Sequence, residues 1–412
     1  MDFKQYDVVI VGGGAAGMMA AAQLSGEGAK VALVEKNSQL GRKLLLTGKG
    51  RCNLTNSRPW EDFKDHIHPD SGFFRPSFMS FSNSDTVAFF NGIGLQTVSE
   101  RGMRIFPASG RSQDVRNVLE SYIGKSDNVD VHLDSEAVSV LHSPNGHFVV
   151  EIMVTSGRIR MLQLIAGSVI IATGGLSYPS TGSTGDGYRF ATAFGHNIVQ
   201  TRPSLTALVP YNYNYSLVGL NLRNVSLSLI VDGGEVQSEF GELSFTGGGL
   251  EGALGFRVSR RAVIALDEGK KVEVVIDLKP AVTEADLKNR IEREYSNNVK
   301  LQRFLERFLP VQAVKPFMDA NPNLSVSSLP VRLKNWRMQI REYVGYHRAV
   351  VTSGGVDLRD ISRKTMESKL VEGLYFAGEV LDLDADTGGY NLQIAFSTGA
   401  AAARAVVERI SG

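Results

Sequence analysis

Asp7-Val8-Val9-Ile10-Val11 followed directly by Gly12-Gly13-Gly14-Ala15-Ala16-Gly17 decides how this chain folds. The first five residues form a short β-branched apolar run, of the kind buried on both faces of a parallel sheet. Residues 18–24 are alanine-rich, with good helix propensity. Gly26 and Gly28 end them, and residues 30–34 form a second apolar strand closed by Glu35. Strand, glycine turn, helix, strand and acid, in that order, describe a dinucleotide-binding unit. Gly12 permits the tight turn, Gly14 lets the backbone approach a pyrophosphate, and Gly17 lets helix and strand pack closely. The helix start at Ala15 and Ala16 offers unpaired N–H groups and a positive dipole end to phosphates. Glu35 lies 18 residues after Gly17, with Lys36 beside it. An acid there can accept both ribose hydroxyls, and its charge disfavours a 2′-phosphate. FAD or NAD is therefore expected rather than NADP.

At 412 residues the chain has room for two or three domains of about 150 residues each. Apolar residues are 43% and charged residues 21%, which excludes disorder, collagen and coiled coil as overall descriptions. With 44 basic and 43 acidic residues the net charge is +1. That excludes a wholly basic nucleic-acid binder, though not a local basic face. The single cysteine, Cys52, excludes an internal disulfide and a multi-cysteine metal site. His66 and His68 lie in a polar loop with no partners at metal spacing, so no metal site is expected. The 43 glycines make up about 10% of the chain against a usual level of about 7%, consistent with tight turns around a nucleotide. The first residues are too short an apolar run for a signal peptide. No stretch approaches the roughly 18 apolar residues of a membrane span. The expectation is a soluble cytoplasmic protein.

Two later segments bear on the choice between FAD and NAD. Residues 164–175 form an apolar strand ending in Ala172-Thr173-Gly174-Gly175. Residues 373–382 form another, carrying Gly378-Glu379, and Thr387-Gly388-Gly389-Tyr390-Asn391 then leads into an alanine-rich helix over 392–410. This arrangement resembles the two-dinucleotide-binding flavoproteins, which implies FAD. By that resemblance Thr173, Gly174 and Gly378 line the cofactor and Glu379 binds a ribityl hydroxyl. Gly389, Asn391 and Leu392 then present a helix N-terminus to the flavin pyrimidine ring, where a positive dipole end stabilises the anionic reduced flavin. No second glycine fingerprint follows a strand. NADH or NADPH, if it is the reductant, would dock transiently at an open flavin face.

Further motifs narrow the resemblance. Gly41-Arg42-Lys43, then Thr47-Gly48-Lys49-Gly50-Arg51-Cys52-Asn53-Leu54-Thr55-Asn56, is similar to the GRK…GxGRCNxTN signature of the BaiN-like, aminoacetone-oxidase-like family of bacterial FAD-dependent oxidoreductases. Arg104-Ile105-Phe106-Pro107, Gly182-Ser183-Thr184-Gly185-Asp186-Gly187, Val351-Thr352-Ser353-Gly354-Gly355-Val356 and Thr365-Met366-Glu367-Ser368-Lys369 agree with it. The likeness spans nearly the whole chain. One stretch departs: where the family has T-H-x-G-x-S-G-P, this chain has Thr246-Gly247-Gly248-Gly249-Leu250-Glu251-Gly252-Ala253.

The fold class expected is α/β: a Rossmann-like FAD-binding domain with inserted β-barrel-like and small helical domains. The FAD domain comprises 1–194 and 350–412. Within it, 131–140 and 147–154 read as added strands, and the resemblance puts Val138 near the adenine. The β domain comprises 195–280 and 330–349; residues 225–231 alternate before the turn signal Asp232-Gly233-Gly234. The helical insert is 281–329. Thr283 is its N-cap, Leu287, Ile291 and Tyr295 follow at helical spacing, Asn297-Asn298 breaks the pattern, and Pro310 ends its resumption.

Cys52 is the first candidate for chemistry: Lys49 and Arg51 beside it would lower its pKa and favour the thiolate, and in a flavin reductase a cysteine can donate a proton to the carbon opposite the hydride; the alternative is a small apolar residue packed under the flavin. Arg42, Lys43, Thr47 and Gly48, with Lys49 and Arg51, form a basic loop suited to FAD phosphates or the flavin N1–C2 edge. His347 is a second acid–base candidate. Residues 300–348 hold nine basic residues against three acidic ones, with Trp336, Tyr343 and Tyr346 interleaved. Such a stripe can bind RNA phosphates and stack bases, or it is a solvated face. By the resemblance the activity is reduction of a conjugated C=C by hydride from flavin N5, with uracil in 23S ribosomal RNA the favoured substrate and a steroid-like enone the alternative. An amine oxidase, and an FAD-bearing RNA-binding protein without turnover, are the other readings. Oligomeric state is not encoded in any of these features.

Overall fold

The computed structural model describes residues 2–296 and 298–412; Asn297, part of the expected break, lies outside them. The chain divides into two compact units, Met1–Thr201 with Val351–Gly412, and Arg202–Val350.

In the first unit seven strands make one sheet. The order is Val129–His132, Val31–Val34, Asp2–Val11, Arg160–Ile171, Phe148–Val154 and Ser135–His142, with Leu374–Phe376 also paired to Arg160–Ile171. Asp2–Val11 is parallel to both its neighbours, and Val8, Val9 and Ile10 are fully buried, as the unbroken apolar run requires. Phe148–Val154 and Ser135–His142 continue the sheet antiparallel. The stretch 131–140, expected as one strand, is two. Asp134 turns the chain at φ 49, a conformation that Asp tolerates better than most residues.

The helix Ala15–Leu24 and the long C-terminal helix Tyr390–Ser411 cross within this unit. Their small residues allow a very short approach. A Cβ on Gly399 would lie 2.4 Å from the Ala16 carbonyl oxygen. The C-terminal helix starts at Tyr390, just before the alanine-rich run, because Gly389 at φ 99 turns the chain into it.

The second unit is a closed six-stranded barrel, ordered Leu208–Pro210, Gly249–Glu251, Gly234–Thr246, Asn221–Val231, Val272–Asp277 and Trp336–Tyr343. Its main hairpin closes at Val231 opposite Gly234, across Asp232-Gly233. Thr283 caps the helix Glu284–Glu294, accepting from the Asp286 N–H at 3.1 Å. The helical stretch is not a body of its own. Leu287, Ile291, Phe304, Phe317 and Leu333 join barrel residues such as Phe245 and Trp336 in one core. Helices this short are marginal alone and gain their stability from such packing.

Trp336 sits between Phe245 (ring centroids 6.1 Å) and Phe317 (5.5 Å), and its buried indole N–H has no partner. Trp336→Ala should lower stability by about 3–5 kcal/mol. Trp336→Phe should cost far less, since it keeps most of the ring and removes the orphan donor. Denaturant unfolding followed by far-UV circular dichroism measures both; equal losses would contradict this packing account.

Candidate cofactor site

The site is built where the first strand ends. Gly12 enters the turn at φ 109, and a Cβ there would lie 2.5 Å from the Ala172 carbonyl oxygen. A Cβ on Gly17 would lie 1.9 Å from the Gly12 oxygen, so helix and turn meet at glycine contact. Gly14 is different: no protein atom lies within 4 Å of a Cβ built on it. Gly14 is also the N-cap of Ala15–Leu24 and gives it no side-chain cap, so the first-turn N–H groups of Ala15, Ala16 and Gly17 lack a side-chain acceptor. Open space beside uncapped donors fits a diphosphate.

Glu35 is buried and accepts from the Gly13 N–H at 2.8 Å and the Asn37 N–H at 2.8 Å, one to each oxygen. It thus latches the glycine turn; the Asn37 side-chain amide also donates to Oε1, so Oε2 is the oxygen that keeps a lone pair for a ribose hydroxyl. Lys36 is held by Asp186 and Thr184, both at 2.6 Å, and so ties down the 182–187 loop. Val138 lies at a break in register between Ala137 and Ser139. Its carbonyl accepts from Arg189 at 2.7 Å, and Ser135 in the same strand bonds the Glu35 carbonyl at 3.0 Å.

The late segments close the site. Thr173 and Gly174 follow the strand Arg160–Ile171, and Gly378 donates to Thr398 at 2.9 Å. Glu379 accepts from Lys43 at 2.6 Å, Ser177 at 2.5 Å and the Thr352 N–H at 2.9 Å. The carboxylate expected at a ribityl hydroxyl is therefore locked by a lysine and two polar partners that sequence spacing did not single out. At Gly389 the C-terminal helix again begins without a side-chain cap. The Asn391 side chain instead brackets the preceding loop through the Ala385 N–H at 2.9 Å and the Ala385 carbonyl at 2.7 Å. Two uncapped helix N-termini, an open glycine turn and a buried acid fit a dinucleotide with a flavin ring.

The basic loop does not converge. Arg42 donates to Asn37 at 2.6 Å, while Arg51 pairs with Glu100 and lies 4.4 Å from the Phe106 ring centroid. Thr47 bonds the Leu44 carbonyl at 2.6 Å, and Gly48 is exposed at φ 58. The expected Cys52 thiolate is overturned. Cys52 is fully buried, and burial pushes its thiol up to about 12 against a weaker lowering by a Thr47 hydrogen bond. Glu100 already holds the charge of Arg51, so the thiol stays protonated and packs as a small apolar residue.

His347 occupies an exposed turn of the second unit. In the divergent loop of that unit, Glu251 pairs with Arg348 at 2.8 Å, and Tyr213 donates to the Thr246 carbonyl at 2.9 Å. The basic stretch 300–348 is partly compensated in space, by acids from other elements as well as its own. Seven of its nine cations have acidic partners. Among these, Arg307 meets Glu294 at 3.6 Å, Lys334 meets Asp277 at 2.7 Å and Arg337 meets Glu273 at 3.5 Å, all with acids from outside the stretch. Trp336 is buried and Tyr343 donates to Asp267 at 2.7 Å, so these aromatics are not free for stacking.

One cluster escaped sequence reasoning. His66 meets Asp386 at 2.8 Å and His68 meets it at 3.5 Å. The partners are 320 residues apart and are brought together by the pairing of Asp384–Ala385 with Ile67–His68. No group suited to hold a metal occurs among the described residues, and no described helix is long and apolar enough to cross a membrane.

Comparison with known proteins accords with this geometry. Residues 6–405 match the family model described as HI0933-like protein Rossmann domain. A 3-dehydro-bile acid delta(4,6)-reductase of Clostridium scindens is 30% identical, over 97% of this chain and 98% of that protein. A ribosomal RNA dihydrouridine synthase of Escherichia coli is 31% identical, over 98% of each. Among solved structures, the 3-ketosteroid delta1-dehydrogenase of Sterolibacterium denitrificans covers 98% of this chain and 100% of its own, at 14% identity and a TM-score of 0.55, a likeness of fold alone. The chain belongs to the HI0933-like Rossmann family and is an FAD-dependent oxidoreductase.

Gly14→Ala and Gly17→Ala separate the two uses of glycine. Gly14→Ala should leave the unfolding midpoint nearly unchanged and weaken FAD binding at least tenfold, because its methyl enters only the open space. Gly17→Ala should lower both stability and binding, because its methyl strikes backbone. Thermal unfolding and FAD titration of the apoprotein read the difference; equal behaviour of the two variants would contradict it.

Proposed function

We propose that this protein reduces an electron-poor conjugated C=C, with uracil in large-subunit ribosomal RNA as its substrate and dihydrouridine as its product. The observation that carries the reductase reading is likeness along nearly the entire chain to relatives named for both a dihydrouridine synthase and a bile-acid C=C reductase. Uracil and a dienone share an activated double bond conjugated to a carbonyl, so one site chemistry serves both. FAD, when bound and reduced, supplies the hydride for the β-carbon.

The chain's own residues define the rest. Uncapped N–H groups at Ala15–Gly17 receive the diphosphate, and Glu35 receives the ribose. Lys43, Ser177 and Thr352 hold Glu379 for the ribityl chain. The N–H groups at Tyr390–Leu392 face the negative charge of the reduced ring. The α-carbon also needs a proton. Cys52, buried and protonated, is a poor source. Solvent water is the proposed source. NADH or NADPH is the proposed reductant.

A small-molecule enone is the second reading, and the ion-paired 300–348 stretch favours it. The deciding experiment is deletion of the gene in its host, with dihydrouridine in purified 23S ribosomal RNA measured by mass spectrometry. Loss of one dihydrouridine, restored by the wild-type gene and not by the Gly14→Ala form at limiting flavin, is the expected outcome. An unchanged level would overturn the RNA substrate and leave the small-molecule enone.

A further inference from the structure

Asp386 is half-buried between two histidines and lies three residues before Gly389, where the C-terminal helix begins. His66 Nδ1 contacts Asp386 Oδ2 at 2.8 Å, and His68 Nε2 lies 3.5 Å from Oδ1. The Asp386 N–H donates to the His66 carbonyl at 3.0 Å. The His66 ring stacks on Tyr390, the first residue of the helix, at 4.3 Å between centroids and 24° between planes. Phe63 packs edge-on against Tyr390 as well, at 4.7 Å between centroids. Asn391 completes the frame by donating to the Asp386 carbonyl at 3.3 Å. The loop that aims the helix N-terminus is thus tied on one side by Asn391 and on the other by the histidines.

We propose that His66, Asp386 and His68 form a charge-setting clasp that positions the N-terminus of Tyr390–Ser411 and makes the redox equilibrium of the bound cofactor depend on imidazole protonation. His66 and His68 are positioning residues here, acting through the helix start. The inference rests on the FAD reading above.

The physical argument is a matter of charge. Burial opposes ionisation of Asp386, but hydrogen bonds from His66 and His68 outweigh it and hold the carboxyl down at about 2. The carboxylate therefore stays ionised throughout the neutral range. Histidine is the side chain whose charge changes between about pH 5 and 8. With neither imidazole protonated the clasp carries one negative charge; with both protonated it carries one positive charge. The ionisable groups next to it are Asp65, adjacent to His66 in the chain, Asp384, paired with His68 across the two-stranded sheet, and Tyr390, whose ring lies on His66. A charge gained beside an uncapped helix N-terminus adds to its positive dipole end and favours the more negative, reduced cofactor.

The test uses the FAD-loaded full chain and the variants His66→Gln/His68→Gln, His68→Gln and Asp386→Asn. The reduction potential is measured against reference dyes from about pH 5.5 to 8, the window in which histidine titrates, and FAD dissociation is measured alongside. At the acid end the wild-type protein should favour the reduced cofactor about tenfold more than the double variant, about 30 mV for a two-electron couple. The two should converge at the alkaline end. Asp386→Asn, near-isosteric and removing one negative charge, should favour the reduced cofactor at every pH, and His68→Gln should give an intermediate slope. Parallel pH profiles in proteins that all hold FAD would overturn the clasp. If the double variant does not fold, His68→Gln and Asp386→Asn carry the same decision. Failure of the wild-type protein itself to bind FAD would instead overturn the cofactor reading.

Discussion

Close backbone approach at glycine is the constraint on which the flavin-binding unit depends. Gly17 lies against the Gly12 carbonyl, and Gly399 lies against the Ala16 carbonyl, both at distances where no side chain fits. The first contact fixes the helix Ala15–Leu24 on the sheet. The second fixes the long C-terminal helix on Ala15–Leu24. The contacts thereby place one uncapped helix start at the glycine turn and tie the helix that carries the other to the same frame. Close packing also makes the arrangement unforgiving, since interiors transmit changes as small as a methylene.

Within that frame electrostatics is handled by pairing rather than by a pool of free cations. Lys43 and Glu379 neutralise one another, Lys36 is spent on Asp186, and Arg51 on Glu100. The cationic loop that looks like a phosphate cradle in the sequence thus supports the walls of the site, while the donors left without a side-chain partner are backbone N–H groups at the helix start. Arg51–Glu100, the most exposed of the three, contributes little stability; the half-buried Lys43–Glu379 and Lys36–Asp186 hold the geometry of the walls.

The first βαβ unit was legible because its signal is local. Strand, turn and helix are contiguous, and the tightest glycine contact, Gly17 on the Gly12 carbonyl, spans five residues. The barrel was legible from alternation and from Asp232-Gly233. The split at Asp134 was not, because a left-handed Asp leaves no mark in an alternating run. The state of Cys52 was misread because neighbours in sequence were taken as neighbours in charge, whereas Arg51 turns away to Glu100. The partial compensation of the basic stretch was hidden for the same reason: counter-charges such as Asp277 and Glu294 come from other elements. The His66–Asp386–His68 cluster was invisible because one short strand pairing brings together segments more than 300 residues apart.

The central claim is that the Gly12–Gly17 turn and the start of the C-terminal helix hold the two ends of one FAD. The most direct test is an experimental structure of the protein crystallised with FAD. The account predicts the diphosphate beside Gly14, an adenosine ribose within hydrogen-bond reach of Glu35, and the flavin pyrimidine edge at the Tyr390–Leu392 N–H groups. A flavin ring seated elsewhere, with Tyr390–Leu392 facing only water, would contradict it.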